Sequence, residues 1–153
     1  MDIPKNIIPY WEKFIKTRNK KAASKFYEVF HFTMDKNSAN QLAELVLQGK
    51  KRATSSLYWD YDSSDELPKK NYFSIVTNWD GIPLCIIETI KVDIIPYNEV
   101  SKEFAAMEGE GDCSLDYWRR IHWDSFTKSC AYIGRLPEKN MPIVCEQFKL
   151  VYK

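Results

Sequence analysis

No run in this 153-residue sequence approaches the roughly 20 consecutive apolar residues of a membrane span. The N-terminal stretch, MDIPKNIIPYWEKF, has no basic segment leading into an apolar core of the secretory type. No membrane partner is therefore expected, and the chain reads as cytoplasmic. Histidine is scarce, with only His31 and His122. Cys85, Cys113, Cys130 and Cys145 form no C-x-x-C pair and have no histidine in ligand spacing, which argues against zinc. No metal and no cofactor is expected. Without a secretory signal, the four thiols read as reduced rather than as a disulfide framework. Charge of one sign is lacking too: 22 basic residues face 21 acidic ones. That balance removes a whole-protein attraction to nucleic acid and leaves any such binding to a local basic patch.

What the chain does hold is aromatic surface. Five Trp, nine Tyr and eight Phe supply a core and a stock of rings for stacking on bases. The length suits one domain, spanning 1–153, with a helical extension over about 1–25. Pro9 opens a helix whose Trp11, Phe14 and Ile15 share a face. FYEVFHF reads as a strand on its aromatic content. Ser38 with Gln41 three residues on forms a capping box, Leu42, Leu45 and Val46 follow at helical spacing, and Gly49 stands where a helix exit belongs. ATSSLYW is extended. NYFSIVTN and PLCIIETIKVDII flank an Asp80-Gly81 pair, the signature of a hairpin. A short helix carries Val100, Phe104 and Met107 inward, Ser114 caps another with Leu115, Trp118 and His122 on one face, and PIVCEQFKLVY closes the chain as a strand. Helices interleaved with mostly antiparallel strands make an α+β fold around a small mixed β-barrel of about five or six strands.

Three stretches can carry chemistry. In GKKRATSS, Gly49 frees the backbone to turn, so that N–H groups and side chains can converge. Lys50, Lys51 and Arg52 cannot all face one way on an extended chain, and by spacing alone they read first as solvated cations complementing a helix end. In EGEGD, three carboxylates and two glycines lie between helices, without the spacing of an EF-hand, and read as a mobile acidic loop. In WRRIHW, Trp118 and His122 lie four apart on one helical face, where a histidine is ordinarily a packed residue, and Arg119 points elsewhere.

Taken in order, L-A-x-L-V-L-x-G-K-K-x-A-T, L-P-K-x-x-Y-x-x-I, C-I-I-E-T, F-A-x-x-E-G-E-G-D-x-S-L-x-x-W-R-x-x-H and C-E-x-F-x-x-V resemble the ASCH domain family in its longer form, from about Phe30 to Val151. The resemblance implies a PUA-like β-barrel, a fold associated with RNA, and a partner that is RNA or a modified nucleoside. Small members of the family deacetylate cytidine acetylated on its exocyclic amine, with a Lys and a Thr three residues apart and a later Glu. Carried over, that pattern falls on Lys51, Thr54 and Glu108 as catalytic residues. Gly49, Lys50, Arg52, Ser55, Glu110, Trp118, Arg119 and His122 complete the expected substrate-binding set. Two other readings stand beside it: a ribonuclease cleaving single-stranded RNA, and an RNA-binding module without catalysis. A narrow pocket the size of a base around Lys51 would favour the amidohydrolase, and a broad cationic groove the binding module.

Overall fold

Pro9, in the first turn of α1 (Ile8–Ile15), lacks the N–H that a helix start leaves unpaired anyway, and the helix lays Trp11 and Phe14 inward. The computed structural model describes residues 3–33 and 35–153, so the first two residues of the expected extension lie outside it. A 3-10 turn over Lys20–Lys25 leads into β1 (Phe26–Phe30). The next helix, α2 (Lys36–Leu47), is capped by the Asp35 carboxylate, which accepts the Ser38 N–H at 2.9 Å. The expected cap at Ser38 is thus corrected. An ionised oxygen on the residue immediately before the helix takes the orphan amide, and Ser38 becomes a residue of the first turn.

Then come β2 (Ala53–Leu57), β3 (Phe73–Thr77), β4 (Pro83–Pro96), α3 (Lys102–Glu108), α4 (Leu115–Tyr132) and β5 (Pro142–Tyr152). The five strands form one mixed sheet in the order β1-β3-β4-β5-β2. Only the β1–β3 pair is parallel. β3 and β4 form the Asp80-Gly81 hairpin, where Gly81 takes a φ of 83° and Asn78 Oδ1 accepts the Ile82 N–H.

The barrel expected from the sequence does not close. β1 and β2 stand at opposite edges of the sheet and share no backbone pairing. Side chains occupy the gap between them: Tyr61 bonds Ser56 of β2 at 2.9 Å and faces the Tyr27 hydroxyl of β1. Rings there take the room a backbone ladder would need.

Three apolar clusters hold the sheet. Trp11 and Phe14 of α1 pack on Phe73, Ile75 and Ile86. Ala43 and Val46 of α2 pack on Val76, Cys85, Ile87 and Phe148. On the other side, Phe104, Trp118, Phe126 and Cys130 of α3 and α4 cover Ala53, Leu57, Ile143 and Cys145. Because α3 and α4 lie in sequence between β4 and β5, they are carried to the edge where β2 docks. Among the described residues no helix is long and apolar enough to cross a membrane, and none of the four cysteines is in a disulfide.

Candidate active site

Gly49 follows the last turn of α2 with φ at 75°, a conformation in which a side chain is strained. Beyond it the chain folds back, and the N–H groups of Lys50 and Lys51 both donate to Leu45 O, at 2.9 and 3.1 Å. The Arg52 N–H donates to Met107 O at 2.7 Å and its carbonyl accepts from Phe148 N at 3.0 Å. This segment is thereby clamped between the end of α3 and β5. Its side chains diverge: Lys50 and Arg52 are exposed, whereas Lys51 is only 2% exposed.

The end of α3 meets it. Gly109, at φ 70°, stops that helix in the left-handed region, and a Cβ there would lie 2.4 Å from Lys50 O. The backbone can come this close only because Gly109 has no side chain, and the approach sets Lys51 beside Glu108. Gly111 is constrained in the same way, since its Cβ would strike the Tyr117 ring at 2.5 Å.

Lys51 Nζ is surrounded by acceptors. It lies 2.9 Å from Ala53 O, 3.2 Å from Glu108 Oε1, 3.4 Å from Glu108 O and 3.6 Å from Glu110 Oε2. The Phe32 ring faces it with its centroid at 5.3 Å. Glu108, 1% exposed, accepts from Ser55 Oγ at 2.8 Å and from Trp118 Nε1. His122 Nε2 lies 3.5 Å from the same carboxylate oxygen, and its ring stacks on Trp118 with centroids 4.4 Å apart. Since a carbonyl only accepts, His122 Nδ1 carries a proton toward Trp118 O at 2.8 Å. A second proton on Nε2 then completes the contact with Glu108.

These contacts push the two carboxyls apart. Burial alone would raise Glu108, but Lys51, His122 and the Trp118 hydrogen bond outweigh it and hold the group well below the usual carboxylate range. For Glu110 burial wins over the attraction of Lys51, the nearby Glu108 charge adds to it, and the pKa is raised. His122 would be lowered by burial, yet Glu108 and Glu110 raise it. Glu108 is thus a fixed anion, and Glu110 is the carboxyl of the two that takes up a proton more readily. Glu110 also borders a cavity of about 230 Å³ with Thr33, Ser38, Gln41, Leu42, Leu45, Gly111, Tyr117 and Ile121. Ligand atoms of Glu108, Glu110 and His122 lie within 4.8 Å of one another, the set that could hold a metal ion. The Lys51 ammonium already sits between both carboxylates, where such an ion would compete with it.

The ASCH domain family matches residues 12–152. The chain belongs to it. The crystal structure of an ASCH domain from Lactobacillus crispatus aligns over 100% of this chain and 98% of its own, with a TM-score of 0.91 and 36% identity. A protein from Enterococcus faecalis aligns over 97% of this chain and 89% of its own, with a TM-score of 0.84 and 32% identity. No curated protein matches the sequence.

In this ASCH domain, Lys51, Ser55, Glu108, Glu110, Trp118 and His122 converge. Thr54 does not share their contacts. The alternation of β2 turns Ser55 toward Glu108 and Ser56 toward Tyr61, and Thr54 falls on the Ser56 face. Arg119, within α4, instead lines a separate cavity with Tyr97 and Trp123. Phe32 and the Ala53 carbonyl were not singled out by sequence reasoning, and the cavity residues of α2 were read only as its cap and helical face. Only Tyr117 and Ile121 carried a signal, each preceding by one position a residue of the Trp118–His122 face.

Proposed function

We propose that this ASCH domain is a nucleoside- or RNA-directed amidohydrolase that removes the acetyl group from cytidine acetylated on its exocyclic amine. One observation carries the reading: Lys51 is buried between two carboxylates, one of which, Glu110, borders a partly open cavity of about 230 Å³, rather than lying along an exposed cationic groove. That arrangement suits a small planar substrate held away from water more than a phosphate backbone.

In this reading the cavity receives the acetylated base, and Glu110 turns aside so that the amide carbonyl reaches Lys51 Nζ. Ionised Glu110 takes a proton from water, whose oxygen adds to the carbonyl carbon. The Lys51 ammonium stabilises the resulting oxyanion. Collapse breaks the C–N bond, Glu110 returns the proton to the departing exocyclic amine, and cytidine leaves with acetic acid, which gives its remaining proton to solvent to become acetate. Glu108 positions Lys51 and His122 throughout. Water is the nucleophile here because Thr54 stands on the far face of β2 from Ser55.

Turnover of acetylated cytidine tests it. Lys51→Ala and Glu108→Ala, each checked for folding by circular dichroism, should lower turnover by about a hundredfold or more, the scale of one lost acid–base partner. Lys50→Ala, an exposed control, should change it little. Equal losses at Lys50 and Lys51 would point instead to a diffuse phosphate-binding patch. Wild-type inactivity on both acetylated cytidine and RNA would leave a binding module.

A further inference from the structure

A carboxylate within an aromatic, largely buried sheet is unfavourable unless a cation or several donors meet it. This chain places two together. Glu28 stands in β1 between Tyr27 and Val29, and Glu146, 8% exposed, stands in β5. Glu146 takes one hydrogen bond, from Thr89 Oγ1 to its Oε2. Neither carboxylate is in an ion pair among the described residues. Burial, and then the Glu146 charge, push Glu28 up to about 7. Burial likewise raises Glu146.

Glu28 opens onto a cavity of about 520 Å³ beside β1. Its walls are the rings of Phe26, Tyr27, Tyr61 and Tyr72, with Asp65 and Glu66 at the rim. The Tyr27 hydroxyl donates to Glu66 O and that of Tyr61 bonds Ser56, so these rings are tethered in place. Lys69 is the one cation in the lining. It is exposed, with Nζ 5.6 Å from the Tyr72 centroid, and pairs with none of the carboxylates.

We propose that this cavity binds an organic cation of the alkylammonium class, its charge toward Glu28 with Glu146 behind and its alkyl groups against the tyrosine rings. Aromatic faces attract a cation electrostatically, and a desolvated carboxylate without a partner adds the countercharge. The site is separate from Lys51, because it lies on the Ser56 side of β2.

Choline is the probe, with its uncharged carbon analogue as control, followed by calorimetry and by NMR shifts of the tyrosine rings. The folded protein should bind choline saturably at about pH 8, and the carbon analogue at least about tenfold more weakly. Glu28→Gln and the rim variant Tyr72→Leu should each weaken choline by about tenfold, while Lys69→Ala, which removes a competing cation, should tighten it. Affinity should rise with pH through about 7, as Glu28 ionises. Glu146 of β5, Tyr61 and, on the same strand, Tyr27 lie near enough to Glu28 to feel its charge, and Asp65, Glu66 and Lys69 rim the cavity. A short peptide carrying trimethyl-lysine separates the sources. Binding of choline indicates a free small molecule, and binding of the peptide alone indicates a protein side chain. Binding of neither overturns the proposal. So does equal binding of the uncharged analogue, or choline affinity unchanged in both Glu28→Gln and Tyr72→Leu.

Discussion

Replacing Glu108 by Gln keeps the shape of the side chain and removes its charge, which isolates what the buried anion does for the fold. Glu108 is 1% exposed and is met by Lys51, His122, Ser55 and Trp118. Removing one partner of a buried ion pair costs about 3–5 kcal/mol, because the other charge is left desolvated. Glu110 still offers Lys51 an oxygen at 3.6 Å, so the lower end, about 3 kcal/mol, is expected. In a chain of this length that corresponds to a fall in Tm of roughly 6–12 °C. Thermal and urea unfolding followed by far-ultraviolet circular dichroism at about pH 7 would read both quantities, with an unchanged urea slope showing that stability alone has moved. The second arm is Lys51→Met with Glu108→Gln. With both charges gone no desolvated ion remains, and the double variant should recover at least half of the loss, since apolar replacement of a buried pair is often near neutral. A loss below about 1 kcal/mol for Glu108→Gln, as at an exposed pair, would refute the reasoning. So would a double variant no more stable than the single one.

Four further outcomes follow from the structure. Gly109→Ala should destabilise by more than about 2 kcal/mol, because strained φ is joined by a clash with Lys50 O; Gly49→Ala, with nothing within 4 Å, should cost only about 1–2 kcal/mol, as unfolding curves will show. Glu28 loses its proton near its ordinary 4.5 when unfolded but only at about 7 when folded, so its contribution is fully present below 4.5 and is lost as pH rises to about 7. Glu28→Gln should therefore be more stable than wild type by about 3 kcal/mol at about pH 8, and by little at about pH 4. His122 is raised in the fold, so its pairing with Glu108 stabilises fully below the unfolded value of about 6.5 and is lost above the folded one; His122→Asn should remove that part of the pH dependence in urea titrations. Iodoacetamide applied to native protein should modify Cys113, which is exposed, and spare Cys85 and Cys145, which are buried with thiols pushed up to about 12.

Local signals in the sequence led to local structure. The exit of α2 at Gly49, the Asp80-Gly81 hairpin and the Ser114 cap all rest on contacts within a few residues, where turn and cap chemistry decides. The failures have tertiary causes. Asp35 displaces Ser38 as cap because an ionised oxygen upstream reaches the same helix end. The barrel stays open because Tyr27 and Tyr61 occupy the seam, and no periodicity in β1 or β2 records which strand lies opposite. Within the site, family pattern named Lys51 and Glu108, which the fold sets 3.2 Å apart. The same family pattern also named Thr54 as the hydroxyl, but the pleat of β2 presents Ser55 to Glu108, a choice fixed by where the strand begins. Phe32 and the Ala53 carbonyl were invisible because neither an aromatic ring nor a backbone oxygen announces its neighbour.

The position of β2 at the rim of the sheet has a consequence for when the site exists at all. Five residues long and paired with β5 alone, this strand delivers Lys51 and Ser55, whereas Glu108, Glu110 and His122 arrive with the chain between β4 and β5. The acidic half can be in place while the basic half is still unattached. Docking of β2 is then the step that encloses Lys51, and the desolvation of that lysine is met only if Glu108 is waiting. An outermost strand is also the piece of a sheet that detaches most readily without global unfolding. Amide exchange in 53–57 should therefore run through an opening smaller than the one that exposes β4, and Glu108→Gln should speed it more than it speeds exchange in β4. Such a protein would spend part of its time intact in outline and chemically blank, with its pocket dismantled and its sheet unbroken.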